Sequence, residues 1–499
     1  MKISRRSALA GIAAVGAGAL IARPLWDASG ATAQSQPLRI PALLDARKQG
    51  QSLSLQVQAG ATEFFPGRAS QTLGYNGSYL GPTLRVNRGD DVEIAVTNTM
   101  KEDTTVHWHG LLIPAELDGG PHQLIQPGVT WRPTLPIRQP AATLFYHSHV
   151  HGRTGIQVYS GLAGVLLVTD EEERALGLPA EYGVDDLPLV LQDRQFEEGR
   201  LVLPDGMMAS MTGRRGNTNL VNGTPNAIAR VPGRLVRLRL VNGSNARIFD
   251  LSFDDRRSFH WIASEGGLLE EPIELRSLTL APGERVEVLV NFSDGRHVAL
   301  QTAPDTNLPM MMGPLARGRS FGNEIFGTGN EVVLRFEPFA SDAGSAIVPR
   351  RLIARQRIDS AQVKKRRRIA LNMGMGMGMG GMMGGRMGSS GGDMTINGRS
   401  FDMNRIDERV ALGDTEIWEV SGEMMSHPFH IHGVQFEVLS RNGNKPTTRD
   451  AGARDTVLVQ DPVELIMRFT QPAVKAPFMY HCHILEHEDN GMMGQFVTT

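Results

Sequence analysis

The chain has 499 residues, of which 51 are Lys or Arg, 53 are Asp or Glu, 14 are His and one is Cys. This length exceeds one ordinary hydrophobic core and predicts two to four domains. The formal charge of -2 excludes a strongly basic nucleic-acid-binding protein. The single Cys excludes an intramolecular disulfide framework and any metal site that is built from several cysteines.

The N-terminus has the features of an export signal. Lys2, Arg5 and Arg6 precede an apolar stretch over 7–22, and Ala31-Thr32-Ala33 matches a small-residue cleavage site. The arginine pair resembles a twin-arginine signal, and an ordinary secretory signal is the alternative. We expect a periplasmic protein that uses the twin-arginine export machinery. Stable membrane insertion is not expected, because the apolar stretch is short for a spanning helix.

One pattern of turn, alternating strand, loop and second strand occurs three times along the chain. The alternating strands begin near Val92, Leu235 and Thr415. Strands with a period of two between Gly and Pro turns are typical of β-sandwiches, so the sequence predicts an all-β fold of three sandwiches. The predicted segments are a signal peptide at 1–33, domains at 34–170, 171–345 and 366–499, and a linker at 346–365.

Four His-x-His pairs are the most informative motifs. Residues i and i+2 of a strand point to the same face, so each pair projects two imidazoles together. The middle repeat has Phe249-Asp250-Leu251 and Ala299-Leu300-Gln301 at the equivalent places, so the fold itself does not require these histidines. Eight imidazoles at matching places in the first and third repeats therefore indicate a multi-metal site. The pairs are His107/His109, His147/His149, His430/His432 and His481/His483.

The single Cys provides a second kind of ligand. Cys482 lies between two paired histidines and therefore points to the opposite face of its strand. His487 and Met492 follow it, and with His427 they complete two His, one Cys and one Met, the ligand set of a blue-copper site. The alternative is a buried free Cys with incidental histidines nearby.

These motifs resemble the four copper motifs of the multicopper oxidases. They are His107-Trp108-His109-Gly110, His147-Ser148-His149, the run from His427 to Gly433, and His481-Cys482-His483 with His487 and Met492. Within that family the chain most resembles the bacterial copper-efflux (cuprous) oxidases. The resemblance implies three cupredoxin-like Greek-key β-sandwich domains, four copper ions (one type 1, one type 2 and two type 3), and dioxygen as the electron acceptor.

The resemblance also implies a role for each ligand. The type 1 copper would be held by Cys482, His427, His487 and an axial Met492. The type 2 copper would be held by His107 and His430. One type 3 copper would be held by His109, His147 and His483, and the other by His149, His432 and His481. Four one-electron oxidations at type 1 copper would then reduce dioxygen to water at the other three ions.

Two carboxylates are candidates for delivering the protons that this reaction consumes. Asp118 and Glu488 match the acids to which the family assigns the role. The alternative for Asp118 is a simple turn residue before Gly119, and the alternative for Glu488 is one acid of an acidic loop that also contains Glu486 and Asp489.

The substrate is the open question of the sequence. A Met-rich insert at 373–394 suits Cu(I), because thioether sulfur is a soft ligand, and a low-complexity loop is the alternative. The candidate substrate-copper residues are Glu423, Met425, Met373 and Met375. A monomeric oxidase of Cu(I), or incidentally of small phenols, is expected. The alternatives are a laccase-like oxidase of phenols, Mn(II) or Fe(II), and a non-enzymatic copper-binding or structural protein such as a cell-division relative.

Overall fold

The computed structural model describes residues 35–308, 329–341, 347–374 and 394–499. The predicted signal peptide and most of the Met-rich insert, including Met375, lie outside the described residues. Three domains of paired β-sheets follow one another along the described chain, which confirms the all-β, cupredoxin-like fold. No helix among the described residues has the length and apolar character that crossing a membrane would require.

The first domain is a sandwich of two five-stranded sheets. One sheet has the order β2-β5-β11-β10-β7, and the other has β4-β3-β6-β8 with β9 also paired to β6. Its elements are β2 Leu43–Asp45, β3 Ser52–Phe65, β4 Arg68–Tyr75, β5 Thr83–Asn87, β6 Asp91–Asn98, β7 His107–His109, β8 Thr130–Trp131, β9 Thr134–Pro136, β10 Ala142–His147, α1 Thr154–Tyr159 and β11 Ala163–Thr169, with 3₁₀ turns at Ala46–Gln49 and Ala115–Leu117.

The middle domain pairs a six-stranded sheet with an eight-stranded sheet. Strand β1, Gln36–Pro37, extends the smaller sheet by pairing in parallel with β16. The other elements are α2 Glu171–Ala175, β12 Asp186–Glu197, β13 Arg200–Val202, α3 Met207–Thr212, β14 Thr218–Val221, β15 Thr224–Pro225, β16 Ala227–Pro232, β17 Leu235–Asn242, β18 Phe249–Phe253, β19 Phe259–Ser264, β20 Gly267–Leu275, β21 Ser277–Leu280, β22 Arg285–Asn291, β23 Val298–Thr302 and β24 Glu331–Phe339.

The third domain repeats the architecture of the first, with sheet orders β26-β25-β28-β32-β30 and β27-β34-β33-β29-β31. Its elements are β25 Val363–Met373, β26 Met394–Ile396, β27 Glu408–Val410, β28 Thr415–Gly422, β29 His427–Ile431, β30 Phe436–Arg441, β31 Thr456–Val459, β32 Val463–Arg468, β33 Phe478–Cys482, α4 Leu485–Asp489 and β34 Met493–Thr498, with 3₁₀ turns at Ser360–Gln362 and Thr448–Asp450. Strand β25 contains the basic run 364–368, where Arg367 is buried against Glu416.

Each domain has its own apolar core between its sheets. Leu55, Ile94 and Trp108 belong to the first core, and Trp418 and Phe429 belong to the third. Trp108, Ile431 and Cys482, each between two paired histidines, belong to these cores, because successive side chains of a strand alternate between its faces. The cores therefore fix the strands from which the histidines project.

Candidate metal centres and their surroundings

The four His-x-His pairs lie at the ends of two antiparallel strand pairs. In the first domain β7 pairs with β10, and His107 lies opposite His147. In the third domain β29 pairs with β33 in the same way, and His430 lies opposite His481. The second histidine of three of the pairs lies just beyond its strand. All eight side chains are buried, so the two domains present them to each other and not to solvent.

The eight imidazoles form one cluster between the first and third domains. The ring of His107 stacks on that of His432 with centroids 3.8 Å apart, and the ring of His109 stacks on that of His430 at 3.7 Å. The rings of His483 and His109 are 5.1 Å apart. Three overlapping triads have candidate ligand atoms within 4.8 Å of one another. They are His107/His109/His147, His107/His430/His432 and His149/His432/His481.

The chemistry of the cluster fits metal ions. Nε2 of His107, Nε2 of His430 and both ring nitrogens of His483 are buried with no hydrogen-bond partner in the part of the chain that the structure describes. Unpaired buried nitrogens are costly unless they bind something. Burial also lowers the pKa of seven of these histidines, so their rings are neutral and can donate a lone pair to a metal. The seven are His109, His147, His149, His430, His432, His481 and His483.

The thiol of Cys482 belongs to a separate centre. Its Sγ atom lies 3.5 Å from Nδ1 of His427 and 3.6 Å from Nδ1 of His487. The candidate ligand atoms of these three residues lie within 4.8 Å of one another, and all three residues are buried. Met492 is also buried and shares the apolar core that surrounds Cys482. Burial raises the pKa of the Cys482 thiol, so in this site the thiolate requires a bound metal.

In both histidines beside the Cys482 thiol, the ring nitrogen that faces away from the sulfur, Nε2, is hydrogen-bonded to a main-chain oxygen. Nε2–H of His427 donates to the oxygen of Glu423, and Nε2–H of His487 donates to the oxygen of Met211, both at 3.0 Å. A hydrogen bond at Nε2 leaves the Nδ1 lone pair directed at the sulfur side, which orients both rings for a metal. Met211 lies on α3 of the middle domain, so that domain contributes to this centre.

Asp118 joins the first and third domains at the cluster. Its main-chain oxygen accepts from Nδ1 of His107 at 3.0 Å, and its carboxylate accepts from Nδ1 of His432 at 2.7 Å. Gly119 allows this turn, since it has a φ of +80° and a Cβ there would lie 1.7 Å from the oxygen of Val106. Asp118 is buried, unlike an ordinary turn residue.

Asp455 makes the equivalent contacts from the other side, and the sequence patterns did not reveal it. Its main-chain oxygen accepts from Nδ1 of His430 at 2.9 Å, and its carboxylate accepts from Nε2 of His109 at 3.1 Å. The Arg285 guanidinium holds the pKa of this buried carboxyl well below its usual range, against the opposing effect of desolvation. A charged pair just before strand β31, Arg454-Asp455, is the available sequence signal.

Glu488 lies against the cluster from α4. Its two carboxylate oxygens are each 3.3 Å from a histidine Nδ1, one in His149 and the other in His481. The hydroxyl of Thr154 donates to it at 2.7 Å. Burial and the neighbouring Asp489 raise the pKa of this carboxyl well above its usual range. Glu488 is therefore a buried carboxyl group in contact with the histidine cluster.

The described residues that the sequence predicts for substrate copper differ in their exposure to solvent. Glu423 is exposed, whereas Met425 and Met373 are buried within the apolar core of the third domain. Met373 lies directly opposite Met394 in the pairing of β25 with β26. The ends of the Met-rich insert are therefore adjacent in space.

Comparisons with known proteins agree with this geometry. Multicopper oxidase family models match residues 56–173, 190–307 and 378–499. The chain is 40% identical to the cell division protein FtsP of Rahnella sp., over 100% of this chain and 99% of that protein. It is 35% identical to the multicopper oxidase mco of Staphylococcus aureus, over 93% and 92%.

A solved structure extends the comparison to the fold. It is CueO from the lignin-degrading bacterium Ochrobactrum sp., described as a laccase-like multi-copper oxidase with activity towards lignin model compounds and lignosulfonate. The identity is 40% and the TM-score is 0.82, covering 93% of this chain and 100% of that one. The chain therefore belongs to the multicopper oxidase family, and its membership implies copper as the cofactor.

Proposed function

We propose that this protein oxidises a reductant one electron at a time at a type 1 copper and reduces dioxygen to water at a trinuclear copper cluster. The observation that carries the proposal is the position of Cys482. Its thiol belongs to one centre while its chain neighbours, His481 and His483, belong to the other. Bound copper would supply the one-electron redox chemistry at both centres.

The proposed ligands are those that the family resemblance implies, four for type 1 copper and eight for the cluster. Cys482 is joined to each neighbouring histidine through a single peptide unit, so the chain itself links the two centres. The ligand assignment is type 1 at His427, Cys482, His487 and Met492, type 2 at His107 and His430, and type 3 at His109, His147 and His483 and at His149, His432 and His481.

We assign proton delivery to Glu488 and Asp118. Glu488 is buried, its pKa is raised by burial and by the neighbouring Asp489, and it contacts two cluster histidines and the hydroxyl of Thr154. Asp118 has one carboxylate oxygen on His432, and its other oxygen, Oδ1, is buried with no hydrogen-bond partner among the described residues. General acids in such positions typically contribute about 10²- to 10⁴-fold to a rate.

The substrate that the site supports best is Cu(I). Nε2 of each proposed type 1 histidine, His427 and His487, donates to a main-chain oxygen in a segment that carries methionines. On α3, Met207 is 77% and Met208 is 37% exposed, and Asp205 precedes them. Thioethers are soft ligands that favour Cu(I), and the exposed Glu423 adds negative charge near the other histidine.

Oxygen-consumption assays with Cu(I) and with a phenol test this substrate. Because Met373 and Met394 are paired, replacing residues 374–393 by a two-residue Asn-Gly hairpin turn should preserve the pairing of the two strands. We expect Cu(I) turnover to fall about tenfold, equivalent to about 1.4 kcal/mol of lost transition-state stabilisation. Phenol turnover should hold or rise. Unchanged Cu(I) turnover would favour a laccase-like oxidase of phenols, Mn(II) or Fe(II), the alternative to which the Ochrobactrum enzyme points.

A non-enzymatic role in cell division is the second alternative, and the FtsP relative favours it. The complete set of twelve candidate ligands argues for retained copper chemistry. Copper-loaded protein that lacks the blue thiolate absorption, or that consumes no dioxygen with any reductant, would support the structural role instead.

Periplasmic export is also proposed, through the twin-arginine route. Replacing Arg5 and Arg6 by Lys keeps the charge and should retain the precursor in the cytoplasm, as measured by cell fractionation. Normal export of the Arg5→Lys/Arg6→Lys variant would indicate the ordinary secretory route.

A further inference from the structure

Asp118 and Asp455 make equivalent contacts at the histidine cluster. Among the described residues, an arginine side chain pairs with the carboxylate of Asp455 and none pairs with that of Asp118. Each uses its main-chain oxygen for a histidine of its own domain and its carboxylate for a histidine of the other domain. The Asp118 carboxylate contacts only histidines in the described part of the chain, and its Oδ1 has no partner there. The Asp455 carboxylate is paired with Arg285, which belongs to the middle domain.

Arg285 is fully buried where the three domains meet. Its Nη1 and Nη2 atoms lie 2.7 and 2.6 Å from the two carboxylate oxygens of Asp455 in the third domain. Its Nε–H donates to the oxygen of Thr143 in the first domain, and Nη1 also donates to the oxygen of Gly283. A planar guanidinium with these partners fixes both the position and the direction of the carboxylate.

Two glycines leave room for this arrangement. At Gly110, which follows the first histidine pair, a Cβ would lie 2.5 Å from Nη2 of Arg285 and 2.7 Å from Oδ2 of Asp455. At Gly283, a Cβ would lie 2.8 Å from the ring of His483. Both have a positive φ, so the backbone itself also favours glycine there. The ion pair is therefore enclosed by backbone from the first and middle domains.

We propose that Arg285 is a positioning residue for the trinuclear centre. It holds Asp455 so that the carboxylate orients His109 and the main-chain oxygen orients His430. The inference rests on the proposed function, because it takes these two histidines as copper ligands. Hydrogen bonds to the non-ligating nitrogen fix the tautomer and ring direction of a metal-bound histidine, and their loss typically lowers metal affinity about 10- to 100-fold. The middle domain, which has no histidine pair of its own, would thus set the geometry of the cluster.

The test compares copper binding by Arg285→Met and Arg285→Lys with that of the parent protein. The measurements are copper per chain by elemental analysis and the type 1 and type 2 signals by electron paramagnetic resonance, so no turnover is required. We expect both variants to keep the type 1 signal and to need about 10- to 100-fold more free copper to fill the type 2 site. Lys should lose less than Met, since it restores the charge but not the two-pronged contact.

Arg247→Met is the matched control. Arg247 is another buried arginine of the middle domain, paired with Glu331 at 2.8 Å, and none of its described contacts is with a cluster histidine. It should lose stability but keep its type 2 copper. Asp455→Asn keeps the shape of the site, so it provides a second route if Arg285→Met folds poorly. Adding Arg285→Lys to Asp455→Asn should lower copper affinity little further, because Arg285 acts through Asp455.

Three outcomes separate the inference from the function on which it rests. Loss confined to the type 2 and type 3 copper supports the proposal. Normal type 2 affinity in Arg285→Met, or equal loss in the Arg247→Met control, would overturn it. A parent protein that binds no type 2 copper would instead overturn the proposed function, before any variant is compared.

Discussion

The Nε2 atom of His487 lies 3.0 Å from the main-chain oxygen of Met211, so a residue of the middle domain directly holds a proposed type 1 ligand. The same domain reaches the histidine cluster through Arg285 and through Gly283, whose close approach to His483 leaves no room for a side chain. A domain without histidine pairs therefore supports both centres. We infer that it orients the proposed ligands that the other two domains supply.

Replacing the thiol removes the type 1 centre alone. Cys482→Ser keeps a buried side chain of similar size but offers no thiolate, so the blue absorption should disappear and dioxygen consumption should fall to background. The type 2 signal should persist, because the eight histidines are unchanged. Met492→Leu is the control, since it preserves the apolar volume and should keep a blue centre with altered potential. Residual turnover in Cys482→Ser would contradict the assigned electron path.

Asp118→Asn tests the carboxylate that joins the first and third domains. The amide keeps the shape, but its neutral oxygen accepts from Nδ1 of His432 more weakly than a carboxylate does, and it cannot deliver a proton. We expect dioxygen reduction to slow about 10- to 100-fold with type 1 copper intact. Glu116→Gln is a nearby control, because that acid is partly exposed and pairs only loosely with Lys475. Equal effects of the two changes would argue against a role for Asp118.

Gly119 and Gly128 offer a matched pair for the backbone argument. Both have a φ of +80°, but a Cβ at Gly119 meets the oxygen of Val106 while a Cβ at Gly128 meets nothing within 4 Å. Gly128→Ala should lower the free energy of unfolding by about 1–2 kcal/mol from backbone strain alone. Gly119→Ala should cost more and also displace Asp118. Denaturant unfolding and type 2 copper content check both expectations, and equal costs would contradict the contact.

The copper-free protein should lose stability in mild acid. In the unfolded chain histidines take up protons below about pH 6.5. Burial lowers the pKa of His427 to about 4 and that of His487 to about 3 in the folded state. Stability is therefore complete above the unfolded value and falls as pH drops towards the folded values, by about 1.4 kcal/mol per pH unit for each histidine. The seven cluster histidines with lowered pKa values act in the same direction.

Three buried acids have the opposite effect on the pH dependence of stability, but they do not cancel the effect of the histidines. Burial raises the pKa of Glu265 to about 8 and that of Asp489 to about 7, and the pKa of Glu488 is also raised. Each stabilises the fold as pH falls towards its unfolded value, yet nine buried histidines outnumber them. The denaturant concentration at the unfolding midpoint of copper-free protein should decrease as the pH is lowered from about 6.5 to about 5. Bound copper should reduce this loss of stability. A midpoint that does not change over this pH range would contradict the conclusion that the buried histidines are neutral in the folded protein.

Strand periodicity in the sequence predicts which candidate ligands lie together within one strand. His107 and His109 share a face by spacing alone, and Cys482 between two histidines must point the other way. Arg285 and Asp455 could not be found in this manner. They are 170 residues apart, and their contact depends on how two domains pack. Nor does any spacing rule predict that Met211 supplies a main-chain oxygen to His487.

The most direct measurement of the central claim is copper content and spectroscopy on one copper-loaded sample, followed by dioxygen uptake with a one-electron reductant. The proposed function predicts four copper ions per chain, a blue thiolate absorption, one type 2 signal, and four electrons consumed per dioxygen with water as the product. A sample with fewer ions and no blue absorption, or one that releases hydrogen peroxide in place of water, would contradict it.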